Sequence, residues 1–301
     1  MRAKYLGLDL PSPIIVSSSP YTSNVKSVEQ CAASGAGAVV LKSIFEEQIL
    51  HHAAALDTVS DSAYGDAEVY LQRYLGEDYK AGFLRLVQEA RSKTELPVIA
   101  SINCVVDKGD WIEYATAMAD AGASALELNI FIQSTDIHAQ ARELELNYAE
   151  IVGRVAGAVK IPVSVKLPMR LTNVFALSSA LLGHGARGVV FFNRFFEPDV
   201  DVERMTFVES SPYSEPTELR NVLRMVAICS AVLPQLDLSV STGVDRQSGR
   251  ARWRGCGQSA FVRSRGSAGL HGDPPEGIRS HCRNERVHRP LVRAAGFRFA
   301  R

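Results

Sequence analysis

The chain lacks the features that mark secreted and membrane-spanning proteins. Its five cysteines form no Cys-x-x-Cys pair and are odd in number, so we expect reduced thiols in a cytoplasmic protein rather than a disulfide framework. No basic-apolar-small signal segment opens the sequence. No apolar run approaches the roughly 18 residues of a membrane span. Secretion and membrane insertion are therefore not expected.

Candidate metal ligands are also scarce. The seven histidines include one adjacent pair, His51 and His52, which has no cysteine or carboxylate partner at metal-ligand spacing. Zinc sites in proteins need three or four such ligands. We therefore expect no metal site.

The absence of lysine from residues 245–301 separates two kinds of sequence. This segment holds 13 arginines, four acids, one isoleucine and no tyrosine, which gives a formal charge of +9. Residues 1–244 hold 20 basic and 29 acidic residues, which gives −9, so the total is zero. The tail has no apolar period of 3.6 or 2 residues. We expect a folded unit at 1–244 and an irregular tail at 245–301.

Two hypotheses account for the tail. Out-of-frame translation of a GC-rich gene yields Arg, Gly, Ala, Ser and Pro, which are abundant here. The alternative is a natural disordered tail, because this composition buries little apolar surface. Its arginines would then suit single-stranded nucleic acid, but aromatics are few and no Arg-Gly-Gly repeat occurs. On either hypothesis we expect no eighth strand, and open edges on the first and seventh strands.

What the first segment does contain is a repeated helix end followed by a buried strand. Three copies run from Gly-Ala through a short apolar stretch to a polar residue, at 35–42, 122–129 and 185–193. Glycine suits the position after a helix, and the apolar stretch suits a parallel strand covered on both faces. Two strands opened by proline, 97–103 and 162–166, fit the same pattern. The strand ends expected at one common rim are Lys42, Asn103, Asn129, Lys166 and Asn193.

Strands and helices alternate through residues 13–244, which predicts a parallel sheet with right-handed crossovers. The fold class is α/β, a (β/α)8 TIM barrel with seven strands and no evident eighth. Such barrels carry active sites at the carboxyl ends of their strands. Residues 44–77 form an insertion too long for an ordinary loop, so we expect a lid or binding loop there. The other predicted elements are strands 14–18 and 236–242, helices 25–34, 78–93, 110–121, 138–158, 172–183 and 215–233, and a long loop at 194–214.

The strand ends resemble those of a known flavoprotein family. The stretches are SPIIVSSSP (12–20), VVLKS (39–43), VIASINC (98–104), ALELNI (125–130), VSVKLP (163–168), VVFFN (189–193) and STGV (241–244). In this order they resemble the FMN barrel of soluble dihydroorotate dehydrogenases and the pyrimidine-reducing domain of dihydropyrimidine dehydrogenases. The resemblance implies a cytoplasmic FMN-dependent oxidoreductase that acts on a CH–CH bond of a small cyclic substrate, dihydroorotate or a relative, in pyrimidine biosynthesis. It leaves the electron acceptor open, and a homodimer is compatible with it.

The resemblance also assigns roles to individual residues. Lys42 would lie beside the flavin, where a cation offsets the negative charge of the reduced ring, and would count as catalytic. Lys166 would contact the ribityl chain or a ring oxygen. Asn129 and Asn193 would bind the substrate ring or the flavin, since amides both donate and accept hydrogen bonds. The implied cofactor ligands are Ser17, Ser18, Lys42, Asn129, Lys166 and Gly243, the last in the turn that holds the phosphate, and the implied substrate ligands are Ser62, Asn129 and Asn193.

The sequence departs from the family at its catalytic base. The family follows its fourth-strand asparagine with a Cys or Ser base and then a Pro-Asn pair, whereas this chain has Ile132 at the base position and Ser134 in place of the asparagine. Ser62 replaces another substrate asparagine. We therefore expect weak dihydroorotate oxidation, and a flavin-binding protein with a different substrate or little activity is the alternative. The candidates for a replacement base are Ser134, Thr135, Asp136 and His138.

Overall fold

A short antiparallel hairpin opens the chain. The structure, a computed structural model, describes residues 2–45, 80–103, 111–132, 134–193, 199–208, 218–241 and 259–263. Strand β1 (Ala3–Tyr5) pairs with β2 (Leu8–Leu10). Leu6 and Gly7 form the two-residue turn with φ of 55° and 80°, the left-handed conformation that tight hairpins need. The sequence patterns did not predict this hairpin.

Seven parallel strands follow, and they confirm the predicted α/β barrel architecture. They are β3 (Ile14–Val16), β4 (Ala38–Val40), β6 (Val98–Asn103), β7 (Ala125–Asn129), β8 (Val163–Pro168), β9 (Gly188–Asn193) and β12 (Asp237–Val240). A two-residue strand, β5 (Ile44–Phe45), pairs in parallel with the end of β6. The helices are α1 (Val25–Ala33), α2 (80–93), α3 (Trp111–Asp120), α4 (Ala141–Ala158), α5 (Val174–Gly183) and α6 (Leu219–Val232).

Both ends of the helices carry capping residues, of which the sequence pattern predicted the glycines. Asn24 and Asn173 precede α1 and α5, and their side chains accept hydrogen bonds from Ser27 N and Ala176 N at 3.0 Å. Such caps satisfy backbone N–H groups that a helix start leaves unpaired. The repeated glycines Gly35, Gly122 and Gly185 have φ of 84°, 95° and 99°, as a glycine after a helix end requires.

A strand from the tail corrects one expectation. Strand β13 (Ser259–Arg263) pairs antiparallel with β12 and with β3. The prediction that strands one and seven keep open edges is therefore wrong. Backbone pairing needs only an extended segment with free N–H and C=O groups, so a segment without an apolar period can still pair. Because β4 also pairs with β6, the sheet forms a ring in which β13 takes the place of the eighth parallel strand.

The predicted loop at 194–214 also contains structure. Strands β10 (Asp199–Asp201) and β11 (Thr206–Val208) form an antiparallel hairpin within it. No helix in the described ranges is long and apolar enough to cross a bilayer.

The two faces of the parallel strands build two cores. The outer face packs against the helices, through residues such as Val39, Leu126 and Val165. The inner face packs against the β1–β2 hairpin, which covers the amino end of the barrel. Gly188 faces it so closely that a Cβ there would lie 2.6 Å from Leu6 Cδ2. The inner core consists of Tyr5, Leu6, Leu10, Ile15, Ala38, Val40, Ile99 and Ala125.

Candidate active site

The inward positions become polar toward the carboxyl ends of the strands. Successive side chains of a strand point to opposite faces, so every second residue after the inner core also faces the interior. This places the predicted strand-end residues together, as the sequence pattern indicated. The inward polar residues are Ser101, Asn103, Glu127, Asn129, Ser164, Lys166, Ser239 and Ser241.

Two asparagines and one lysine meet on three neighbouring strands. Asn193 Nδ2 donates a hydrogen bond to Asn129 Oδ1 at 2.6 Å, although β8 lies between their strands. Lys166 of β8 is the register partner of Asn129. The side chains of Lys166 and Asn129 are only 5% and 8% exposed. The amide pair therefore spans the strand that carries the buried lysine.

Lys42 follows β4 at the same end of the barrel. It is partly buried, and its backbone N–H donates to Thr22 O at 3.3 Å. The backbone N–H of the next residue, Ser43, donates to Ser18 Oγ at 2.9 Å. These bonds join the ends of β3 and β4, so Lys42 lies beside the segment that contains Ser17 and Ser18.

Serine hydroxyls extend from this strand end into the barrel. Ser18 Oγ lies 3.1 Å from Ser43 Oγ, which lies 2.7 Å from Ser101 Oγ. Ser17 and Ser101 are buried. The buried hydroxyl of Ser19 has no hydrogen-bond partner among the described residues, which leaves it available to a ligand.

The position expected to hold the catalytic base carries a packed apolar side chain. Ile132 is partly buried against the outer core, and its backbone N–H donates to the hydroxyl of Tyr148 on α4 at 3.0 Å. Burial raises the pKa of Tyr148, and the hydrogen bond from Ile132 opposes that rise only in part. A phenol that resists ionisation is a poor general base near neutral pH. Neither side chain therefore replaces the missing base.

The other candidate bases lie in an exposed loop. Asp136 N donates to Ser134 Oγ at 3.1 Å, and His138 N donates to Asp136 Oδ1 at 2.8 Å. Thr135 is exposed beside them. In the described part of the chain, no hydrogen bond links these four side chains to the interior amide pair. The catalytic role assigned to Ser134 stays a prediction.

Several predicted features fall outside the described residues. They are the substrate ligand Ser62, the phosphate-turn glycine Gly243, and the pair His51 and His52. Their roles stay predictions. Within the described ranges, no group of three or more His, Cys, Asp or Glu is arranged to hold a metal ion.

Sequence reasoning missed one charged residue, Glu127. It lies two residues before Asn129 on β7 and is 5% exposed. Its register partners are Ser101 on β6 and Ser164 on β8. Burial raises the pKa of Glu127, and the cation of Lys166 opposes the rise. The signal was an acid at an inward position within the otherwise apolar run 125–128.

The hairpin adds polar groups below Glu127. The Tyr5 hydroxyl lies 3.2 Å from Ser239 Oγ, and Leu6 N donates to Asp237 Oδ2 at 2.7 Å. Burial raises the pKa of Tyr5 far above its ordinary value; the hydrogen bond with Ser239 opposes the rise, and the negative charge of Glu127 adds to it. Polar groups thus continue along the barrel interior from the hairpin to the strand ends.

A separate cavity of about 610 Å³ lies at the amino end of the barrel. Lys4, Lys160, Arg187 and Asp237 are among the residues that line it. None of the polar residues at the carboxyl ends lines it, so it is distinct from the candidate active site.

The strand-end residues suit the polar parts of a flavin nucleotide. Lys42 and Lys166 are cations, which would suit a ring that gains negative charge on reduction. Asn129 Oδ1 accepts the hydrogen bond from Asn193. No described residue accepts a hydrogen bond from Asn129 Nδ2, so this group can donate to a ring oxygen. The unpaired hydroxyl of Ser19 suits a ribityl or ring polar group.

Two proteins to which this chain is similar carry names from the family that the strand ends resemble. No protein-family model matches the chain. A protein of Aeropyrum pernix named for dihydroorotate dehydrogenase A (fumarate) is 34% identical over 123 residues, which are 39% of this chain and 38% of that protein. The catalytic subunit of dihydroorotate dehydrogenase B (NAD(+)) of Methanocella arvoryzae is 29% identical over 204 residues, 65% of this chain and 62% of that subunit. The matched segments thus span less than two thirds of either relative, and over them the chain is similar to dihydroorotate dehydrogenases.

Proposed function

We propose that the chain is an FMN-dependent oxidoreductase resembling dihydroorotate dehydrogenase, which acts on a carbon–carbon bond of a small cyclic substrate. The observation that carries the proposal is the layer of Lys166, Asn129 and Asn193 on neighbouring strands. It lies at the carboxyl ends of parallel strands, where β/α barrels carry their active sites. The two relatives support the reaction class by their names.

The described residues would have two roles at this site, charge stabilisation by the lysines and ring orientation by the asparagines. When bound, FMN supplies hydride transfer. Lys42 and Lys166 would stabilise negative charge on the ring and orient it, because a fixed cation in a buried site needs no reorganisation. Asn129 and Asn193 would orient the planar ring of the substrate or the cofactor through amide hydrogen bonds.

Oxidation of dihydroorotate requires a general base, which the position assigned by the family resemblance does not provide here. This base removes a proton beside the carbon that loses hydride, and a positioned base contributes about 10²–10⁴ in rate. Ile132 cannot do this, and its side chain packs against the outer core. This observation favours a second candidate function, a flavoprotein of the same type whose substrate needs no base at that position.

The proposal includes a cytoplasmic location. Cys31 and Cys229 are buried, and neither forms a disulfide with a described residue, as a reducing compartment allows. Burial raises the pKa of the Cys229 thiol to about 11, which keeps it protonated and unreactive.

Titration of the purified full chain with FMN tests the proposal. We expect a bound, yellow protein with flavin bands shifted from those of free FMN. Lys42→Ala should retain the fold by circular dichroism but slow anaerobic flavin reduction by dihydroorotate, or by whichever related substrate proves active, by tenfold or more.

Lys26→Ala is the matched control, because Lys26 is an exposed lysine on α1. A chain that binds no FMN contradicts the cofactor, and an unchanged reduction rate in Lys42→Ala contradicts the role of that lysine. A colourless protein that binds single-stranded RNA with strong salt dependence would instead support the hypothesis of a natural arginine-rich tail that binds nucleic acid.

A further inference from the structure

The barrel interior encloses very few charges. Among the described residues, the buried charged side chains are Glu127, Lys166 and Asp237. Asp237 accepts the hydrogen bond from Leu6 N in the inner core at the amino end. Lys166 is therefore the single buried cation of the described part, and of the two buried acids Glu127 is the one toward the strand ends.

The sheet register places Glu127 and Lys166 close together. Asn129 pairs with Lys166, and Glu127 lies two residues before Asn129 on the same inward face of β7. One strand spacing and a two-residue step separate the two Cα atoms by on the order of 8 Å, which long side chains easily bridge. Both side chains are 5% exposed.

No described residue donates a hydrogen bond to the Glu127 carboxylate. A buried charge without hydrogen bonds must be paired or neutralised by a proton. Glu127 therefore has two accessible states, a carboxylate paired with Lys166 and a neutral acid that leaves the lysine charge uncompensated. The other titratable groups on elements packed around it are Tyr5 of the hairpin and Asp237 of β12, while β6 and β8 present the hydroxyls of Ser101 and Ser164.

We propose that Glu127 is the counter-charge of Lys166 and, acting through it, a positioning residue that sets how strongly the strand-end site attracts negative charge. In the carboxylate state the pair is neutral, and the site attracts negative charge weakly. In the acid state the cation of Lys166 acts alone. The raised pKa of Glu127 brings this change toward the neutral range.

The inference rests on the proposed function, because bound FMN is the probe of negative charge. We expect the midpoint potential of FMN in the full chain, measured by dye-equilibrated titration against pH, to depend on Glu127. Gln mimics the neutral acid, so wild type and Glu127→Gln should coincide at low pH. At high pH and a fixed potential, the ratio of reduced to oxidised FMN should be about tenfold lower in the wild type than in the variant. This corresponds to a midpoint potential about 30 mV lower for a two-electron couple.

Glu89→Gln, which removes an exposed acid on α2, is the matched control and should follow the wild type at every pH. Curves of wild type and Glu127→Gln that coincide throughout, or that differ by a constant offset, would overturn the proposal.

A second measurement needs no cofactor. Urea unfolding of the FMN-free chain should show that Glu127→Gln has a different effect in the wild type than in a Lys166→Met background, because paired residues are not additive. Additive effects would overturn the pairing. If the chain binds no FMN, the proposed function fails, yet this cycle still decides whether Glu127 and Lys166 are paired.

Discussion

At the scale of single residues, the barrel interior departs from an apolar core at a few chosen positions. Asn129, Lys166 and Glu127 occupy inward sites that the sheet would otherwise fill with valine or isoleucine. Each buried polar group without a partner costs about 1–3 kcal/mol. Side chains placed at such a cost are typical of binding and catalytic sites, which is why we assign function to this layer.

The stability of the chain should depend on pH through Glu127. Burial raises the pKa of this acid above its ordinary value of 4.5, so the folded state binds its proton more tightly than the unfolded state does. The resulting stabilisation is complete below the unfolded pKa and is lost as pH rises through the folded pKa. In urea unfolding, the free energy of unfolding of the wild type should therefore decrease relative to that of Glu127→Gln as the pH rises. A difference that stays constant with pH would contradict this.

At the scale of elements, the segment after β7 holds the position that the family resemblance assigns to the catalytic base. Tyr148 of α4 holds the backbone of Ile132 in place by accepting its N–H. The exposed turns at Ser134 and Asp136 then lead into α4. The helix thus fixes where a base would stand, although the residue at that position is apolar.

Ile132→Cys should raise dihydroorotate-dependent reduction of the FMN-loaded chain. A cysteine at this position can supply a thiolate as the proton acceptor, and the backbone contact to Tyr148 does not depend on the side chain. We expect a gain of at least about tenfold, the low end of what general bases contribute. Stopped-flow absorbance of the flavin measures it. Ile132→Ala is the size control, and equal rates for the Cys and Ala variants would show that the position does not reach the substrate.

The same scale shows what sequence patterns can predict. Gly-Ala starts and apolar runs predicted all seven parallel strands, because buried parallel strands and glycine-ended helices leave local signals. The hairpin at residues 3–10 has only three residues in each strand, too few for a period to stand out. Glu127 was missed because one acid in an apolar strand becomes meaningful only when the register places it beside Lys166.

At the scale of the whole molecule, β13 determines whether the barrel closes. It occupies the gap between β3 and β12, but it runs antiparallel to both. The tail composition predicted no packed strand, but composition does not exclude pairing through backbone groups, which any extended segment can make. The hypothesis that residues 245–301 arise from out-of-frame translation stays untested, and resequencing the gene around codon 245 tests it.

Phe261→Pro should destabilise the full chain. Phe261 is the register partner of Val240 on one side and Ile14 on the other, and proline removes its backbone N–H and does not fit the middle of a sheet. We expect the free energy of unfolding to fall by at least about 1 kcal/mol, the value of one lost hydrogen bond. Thermal unfolding measures it. Phe261→Leu, which keeps the N–H, is the control, and equal melting temperatures for Phe261→Pro and wild type would show that β13 does not contribute to stability.

The position of the β1–β2 hairpin at the amino end of the barrel has a consequence for synthesis on the ribosome. Tyr5 and Leu6 contact Ser239 and Asp237, partners that follow 234 and 231 residues later in the chain. At about 5–20 residues per second, those partners are made on the order of tens of seconds after the hairpin. The apolar side chains of the hairpin must therefore wait for a strand that is made much later, and during that interval they are exposed surface to which a chaperone can bind.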